Sequence, residues 1–170
     1  FGQEHVVRIL QNALLQNRIA HAYLFSGPRG SGKTSIARIF ARAVVCTNTD
    51  KKNPPCNSCN SCKEFLGGNT LDLIEIDAAS NRGIDEVRAL KEGAYTLPLK
   101  SPYKIYIVDE VHMMTKEAFN ALLKILEEPP SHVIFILAAT EAEKVPETII
   151  SRTQHLKFSA LPEEIVSKAI

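Results

Sequence analysis

Gly27-Pro28-Arg29-Gly30-Ser31-Gly32-Lys33-Thr34 fits the pattern G-x-x-x-x-G-K-[ST] at every fixed position. Glycine at 27, 30 and 32 removes the Cβ from a sharp turn, so successive backbone N–H groups can point inward at a di- or triphosphate. Pro28, Arg29 and Ser31 complete the loop around those phosphates. Lys33 offers a cation to the β and γ oxygens and Thr34 a hydroxyl to Mg²⁺, while Ser35 continues into a helix whose N-terminal end is positive. The flanks agree with this reading. Tyr23-Leu24-Phe25-Ser26 is a short apolar strand leading in, and Ser35 to Val44 is helical, with apolar residues at Ile36, Ala37, Ile39, Phe40, Ala43 and Val44. A glycine-rich turn with no ligand is the alternative; strand, complete motif and helix in that order argue for a bound nucleoside triphosphate.

Outward from the loop, strands and helices alternate. On the N-terminal side, Val6, Ile9, Leu10, Ala13 and Leu14 share one helical face, either as core cover or as a wall beside the nucleotide base. Downstream, Ile105 to Val108 and Val133 to Ala138 are continuously apolar, as strands covered on both faces of a parallel sheet must be. Leu71 to Asp77 and His155 to Phe158 interleave polar residues and are expected at the sheet edges. Helices are expected over Ile84 to Tyr95 and Thr115 to Glu127, the second stopped by Pro129-Pro130. The expected fold is therefore α/β, a five-stranded parallel sheet flanked by helices, with its ligand crevice at the strand C-termini.

Two strand ends and one loop carry candidate chemistry. Ile105-Tyr106-Ile107-Val108 runs into Asp109 and Glu110, a Walker B arrangement in which Asp109 would hold Mg²⁺ through water and Glu110 would polarise the water attacking a γ-phosphate. Carboxylates solvated at a strand end are the alternative, and a nucleotide kinase would not need Glu110. Thr140 ends the next buried strand, where its hydroxyl could sense the γ-phosphate or orient the water. Arg152, in a loop before the last strand, is either a solvated charge or an arginine supplied to a neighbour's nucleotide.

All four cysteines fall within seventeen residues, as Cys46-x9-Cys56-x2-Cys59-x2-Cys62, closing a polar excursion from Thr47 to Pro55. Four thiolates at roughly 2.3 Å suit a tetrahedral, closed and hence structural Zn²⁺ site, with Lys51, Lys52 and Lys63 offsetting its charge. Two disulfides and an iron–sulfur cluster are the competing readings; a nucleotide binder is ordinarily intracellular, where thiols stay reduced. The 170 residues, 45% hydrophobic, suit one domain with a full core. Twenty Lys and Arg against nineteen Asp and Glu give +1, so any nucleic-acid contact must be local. No apolar run reaches the length of a membrane span, and the expected location is the cytoplasm. The chain starts at Phe1 and stops within a helical pattern over 162–170, which suggests a piece of a longer protein.

His21 to Thr34, the four cysteines, Glu75 to Ser80, Arg82 to Asp85, Val108 to Met114 and Leu126 to Pro130 together resemble the gamma/tau subunits of the bacterial DNA polymerase III clamp loader, members of the AAA+ class. The resemblance covers nearly the whole chain. It implies an AAA+ P-loop NTPase domain over 1–160 with a zinc-module insertion at about 46–62, and the start of a truncated lid domain at 161–170. It also implies an ATP-hydrolysing motor that loads a sliding clamp onto primed DNA, in company with delta, delta-prime and further gamma/tau copies.

Carried over residue by residue, Lys33 and Thr34 would contact phosphate and Mg²⁺, Asp109 and Glu110 form Walker B, Thr140 is sensor 1, and the four cysteines hold zinc. Arg152 would act in trans on the adjacent subunit's ATP, although Thr153 stands where the family's Ser-Arg-Cys motif has cysteine. Arg82, Arg88 and Lys100 are candidates for the DNA backbone and helix 84–95 for the clamp, against a reading of these charges as solvated faces. A delta-prime-like subunit that does not hydrolyse ATP is one rival, opposed by the intact Gly32-Lys33-Thr34. Reading Asp109-Glu110-Val111-His112 as a helicase D-E-x-H box would require a second recombinase-like domain and leaves the cysteines unexplained. A nucleotide kinase would need an arginine-rich lid.

Overall fold

The computed structural model describes residues 2–48, 54–68 and 70–161. Its strands are β1 (Ala22–Ser26), β2 (Leu73–Asp77), β3 (Lys104–Asp109), β4 (Val133–Ala139) and β5 (Gln154–Lys157), all parallel in the order β2-β3-β4-β1-β5. The three continuously apolar strands are central and the two polar-interleaved ones lie at the edges, as the sequence predicts. The helices are α1 (Glu4–Leu15), α2 (Lys33–Val44), α3 (Asn60–Leu66), α4 (Ile84–Ala94), α5 (Lys116–Glu127) and α6 (Glu147–Ile150).

Side chains of a strand alternate between faces, and each central strand feeds two cores. Leu24, Tyr106, Val108, Phe135 and Leu137 pack under Val87, Leu90, Leu122, Ile125 and Leu126 of α4 and α5. Tyr23, Phe25, Ile105, Ile107, Ile134 and Ile136 pack under Val6, Leu10, Ala37, Phe40 and Ala41 of α1 and α2. Each fully buried Leu, Ile or Phe contributes about 1.5–3 kcal/mol, so the three middle strands anchor the molecule.

Local signals set the element ends. Thr115 lies outside α5 rather than beginning it, because its Oγ1 accepts the Ala118 N–H at 3.2 Å as an N-cap. In α2 the helix begins at Lys33, two residues before the sequence-based start, directly after Gly32 in left-handed backbone (φ 89°). The chain leaves β1, next to one edge of the sheet, crosses to the far edge strand β2, and returns through β3 and β4 before β5 takes the other side of β1. The C-terminal ends of β1, β3 and β4 thus open on one crevice. The helical expectation for 162–170 lies outside the described residues, as do Lys51 and Lys52.

Candidate functional site

Gly27 turns off β1 at φ 150°, its N–H bonded to Ala139 O at 3.2 Å. A Cβ there would overlap the Phe158 carbonyl oxygen and stand 2.8 Å from the Phe158 Cβ, so only glycine passes. The loop that follows carries Lys33, 6% exposed, with Nζ donating to Gly27 O at 2.8 Å and Pro28 O at 2.9 Å. Burial holds the Lys33 pKa below its ordinary value, opposed by the carboxylates of Glu110 and Asp109.

Thr34 Oγ1 donates to Asp109 Oδ2 at 2.7 Å, joining the start of α2 to the end of β3. The other Asp109 oxygen accepts the Glu110 N–H at 2.9 Å. Glu110 itself sits in left-handed backbone, φ 50° and ψ 41°, which a side-chain-bearing residue adopts only where its surroundings enforce it. Thr140, just beyond β4, donates from Oγ1 to Glu110 Oε2 at 2.9 Å. Arg29, Gly30, Gly32, Lys33, Thr34, Ser35, Asp109, Glu110 and Thr140 line one cavity of about 380 Å³. A groove of about 450 Å³ beneath β2 is larger, with Leu71, Ile74, Ile76, Leu90 and Tyr106 among its walls beside Glu75, Glu86 and Lys104.

Loop amides, an ammonium, and a hydroxyl bonded to a carboxylate form the donor set that a nucleoside triphosphate and Mg²⁺ require, and the residues fit both. The cysteines converge as well. The Sγ atoms of Cys46, Cys56, Cys59 and Cys62 all lie within 4.8 Å of one another, against roughly 3.8 Å between sulfurs placed 2.3 Å from one tetrahedral ion. A small contraction would close them on Zn²⁺. Hydrogen bonds from the Ser58 side chain and then from the Ser58 and Cys59 backbone lower Cys56 to about 5, whereas burial pushes Cys62 up to about 12. Cys59 also caps α3, its sulfur accepting the Cys62 N–H at 3.5 Å.

Arg152 does not line the cavity. Its Nη2 pairs with Glu127 Oε1 at 2.9 Å and its Nη1 donates to Thr148 O at 2.9 Å, leaving the side chain 35% exposed. The other candidate cations also have partners in the chain: Arg82 bonds Ala79 O, Arg88 pairs with Asp85 and Lys100 with Glu64. Two contributors were not assigned roles from the sequence. Gln3, 2% exposed, bonds Ser31 O and both backbone groups of Ser159, pinning the phosphate loop to the exit of β5. His112 packs against Glu110 and Thr140. Gln3 pairs residues 28 and 156 positions away, and no local pattern signals that.

A family model described as "DNA polymerase III, delta subunit" matches residues 2–162. The chain is 55% identical to the DNA polymerase III subunit tau of Bacillus subtilis (strain 168), an alignment covering 97% of this chain and 29% of that protein. Against the DNA polymerase III subunit gamma of Buchnera aphidicola subsp. Acyrthosiphon pisum the identity is 47%, over 98% of this chain and 46% of that one. The chain thus spans between about a quarter and a half of the length of these relatives. Among solved structures, a DNA polymerase III gamma subunit-related protein of Thermotoga maritima superposes with a TM-score of 0.66 at 26% identity, covering 98% of this chain and 48% of that one. The Thermotoga maritima RuvB Holliday junction branch migration motor, at TM-score 0.59 and 19% identity over 94% of this chain and 45% of that one, shares the fold. The fold is that of an AAA+ P-loop protein, and the chain belongs to the DNA polymerase III delta subunit family, with curated relatives named gamma and tau.

Proposed function

We propose that this chain is the nucleotide-binding domain of an ATP-hydrolysing clamp-loader subunit, which loads a sliding clamp onto primed DNA for DNA polymerase III. The observation that carries this reading is the convergence of Lys33, the Thr34–Asp109 pair, Glu110 and Thr140 on one cavity. Lys33, released from its own loop carbonyls, neutralises the β and γ oxygens, and the loop amides cradle them. Thr34 and Asp109 would hold Mg²⁺, which when bound offsets the charge of the phosphates. Glu110 accepts the proton of the attacking water, and Thr140 keeps that carboxylate turned toward the cavity. The four cysteines would hold Zn²⁺ as a staple for the excursion between α2 and α3.

Arg152, lying outside this chain's own cavity, serves the ATP of an adjacent subunit in trans. Delta, delta-prime and further gamma/tau copies are the proposed neighbours, with a lid beginning at about residue 161. Work in the cytoplasm on primed DNA is part of the same proposal; among the described residues no helix is long and apolar enough to cross a membrane.

The test is ATP turnover of the full-length protein in its assembled complex, with and without clamp and primed DNA. Glu110→Gln and Arg152→Ala should both abolish stimulated turnover and retain ATP binding, the arginine being worth about 10³- to 10⁵-fold. A wild-type complex whose copies of this subunit bind ATP but never turn it over would instead make this a non-hydrolysing subunit.

A further inference from the structure

His112 follows the two carboxylates in the 3-10 turn Val111–Met113, with its side chain 4% exposed. Its ring lies between two acids. Nδ1 stands 3.3 Å from Glu110 Oε2, while Nε2 stands 3.4 Å from Thr140 Oγ1 and 3.6 Å from Glu141 Oε1. Nδ1 is a buried polar atom with no aligned hydrogen bond, a situation that native folds rarely keep without a use. Catalytic hydrogen bonds are often loose before the substrate binds and tighten around it.

Glu110 needs a second support. It leaves β3 through left-handed backbone, and Thr140 holds only one of its oxygens. A carboxylate gripped at one oxygen can still pivot about that contact. The imidazole packs on the same oxygen, so Oε2 lies between the hydroxyl and the ring while Oε1 has neither contact. On its far side the ring reaches Glu141, which pairs with Lys144 at 2.6 Å in the 3-10 turn Ala142–Lys144.

We propose that His112 is a positioning residue for Glu110, holding its carboxylate through Nδ1 and tying that orientation to the turn at Ala142–Lys144. The inference rests on the hydrolytic reading above. Its test is single-turnover hydrolysis and ATP affinity in the full-length assembled complex. His112→Phe should slow turnover about 10- to 100-fold while ATP affinity stays within about 3-fold of wild type. His112→Asn, which keeps an N–H near the Nδ1 position, should recover most of the rate, whereas His112→Gln, which keeps only the Glu141 side, should stay slow. Added to Glu110→Gln, the phenylalanine change should cost nothing further.

Full turnover in His112→Phe, parallel loss of affinity and rate, equal rates in the Asn and Gln variants, or a further loss on Glu110→Gln would each overturn the inference. Should His112→Phe fail to assemble, the contrast between Asn and Gln decides alone. A wild type that binds ATP without hydrolysing it overturns the hydrolytic reading and the inference together. An active wild type indifferent to His112 overturns only the inference.

Discussion

Lys33 and Asp72 are both buried charges, with different partners and different consequences. Lys33 is already stripped of most of its water and held by two carbonyls of its own loop, so a phosphate bound there as proposed would not have to displace a full hydration shell. Asp72, 3% exposed, accepts the backbone N–H groups of Leu99, Lys100 and Ser101 at 2.7, 2.9 and 2.9 Å, ordering the loop before β3. Burial by itself would raise its pKa; the three amides outweigh that and hold it below the usual carboxylate value. A depressed folded-state pKa contributes stability that is complete above the unfolded value, about 3.9, and is lost as pH falls through the folded one. Asp72→Asn should therefore cost about 1–3 kcal/mol at pH 7 in denaturant melts, with the gap to wild type closing in acid. A gap unchanged at low pH would assign the loss to packing rather than charge.

Among the elements, the segment from Cys46 to α3 stands apart: Phe65 packs against the core, and the four cysteines converge with Cys62 buried and the other three half-buried. With Zn²⁺ held by the four cysteines as proposed, metal-binding free energy would be folding free energy for this part of the chain. Treating the zinc-loaded protein with a chelator should abolish hydrogen-exchange protection over residues 54–66 and leave β1, β3 and β4 protected, since their two cores include none of the four cysteines. Cys56→Ser should act in the same direction. Loss of protection throughout the sheet would show that the module supports the whole domain. Elsewhere, α5 and α6 jointly hold Arg152 through Glu127 and Thr148, so the reach of this side chain depends on two elements that approach only in the folded chain.

For the molecule as a whole, the proposed nucleotide cavity draws on the loop after β1, the start of α2 and the ends of β3 and β4, so ligand binding there would be coupled to the packing of the sheet. ATP with Mg²⁺ at about 100 times its dissociation constant should stabilise the domain by about 2.7 kcal/mol, or roughly 5–10 °C in a thermal melt. Lys33→Ala should remove that shift while the ligand-free midpoint stays near wild type; a persistent shift would place the nucleotide elsewhere. Much of this was legible in advance. The phosphate loop, Asp109-Glu110, the cysteine spacing, and central as against edge strands are local patterns, dictated by backbone freedom, side-chain period and ligand chemistry over a few consecutive residues. What the tertiary structure alone decided is which distant groups meet: Gln3 on the phosphate loop, Asp72 under the amides of 99–101, Glu127 on Arg152 and His112 beside Glu110. Such contacts depend on how the strands are ordered and how helices cross them, and that ordering is set by the collective burial of two cores, which no short stretch of sequence encodes.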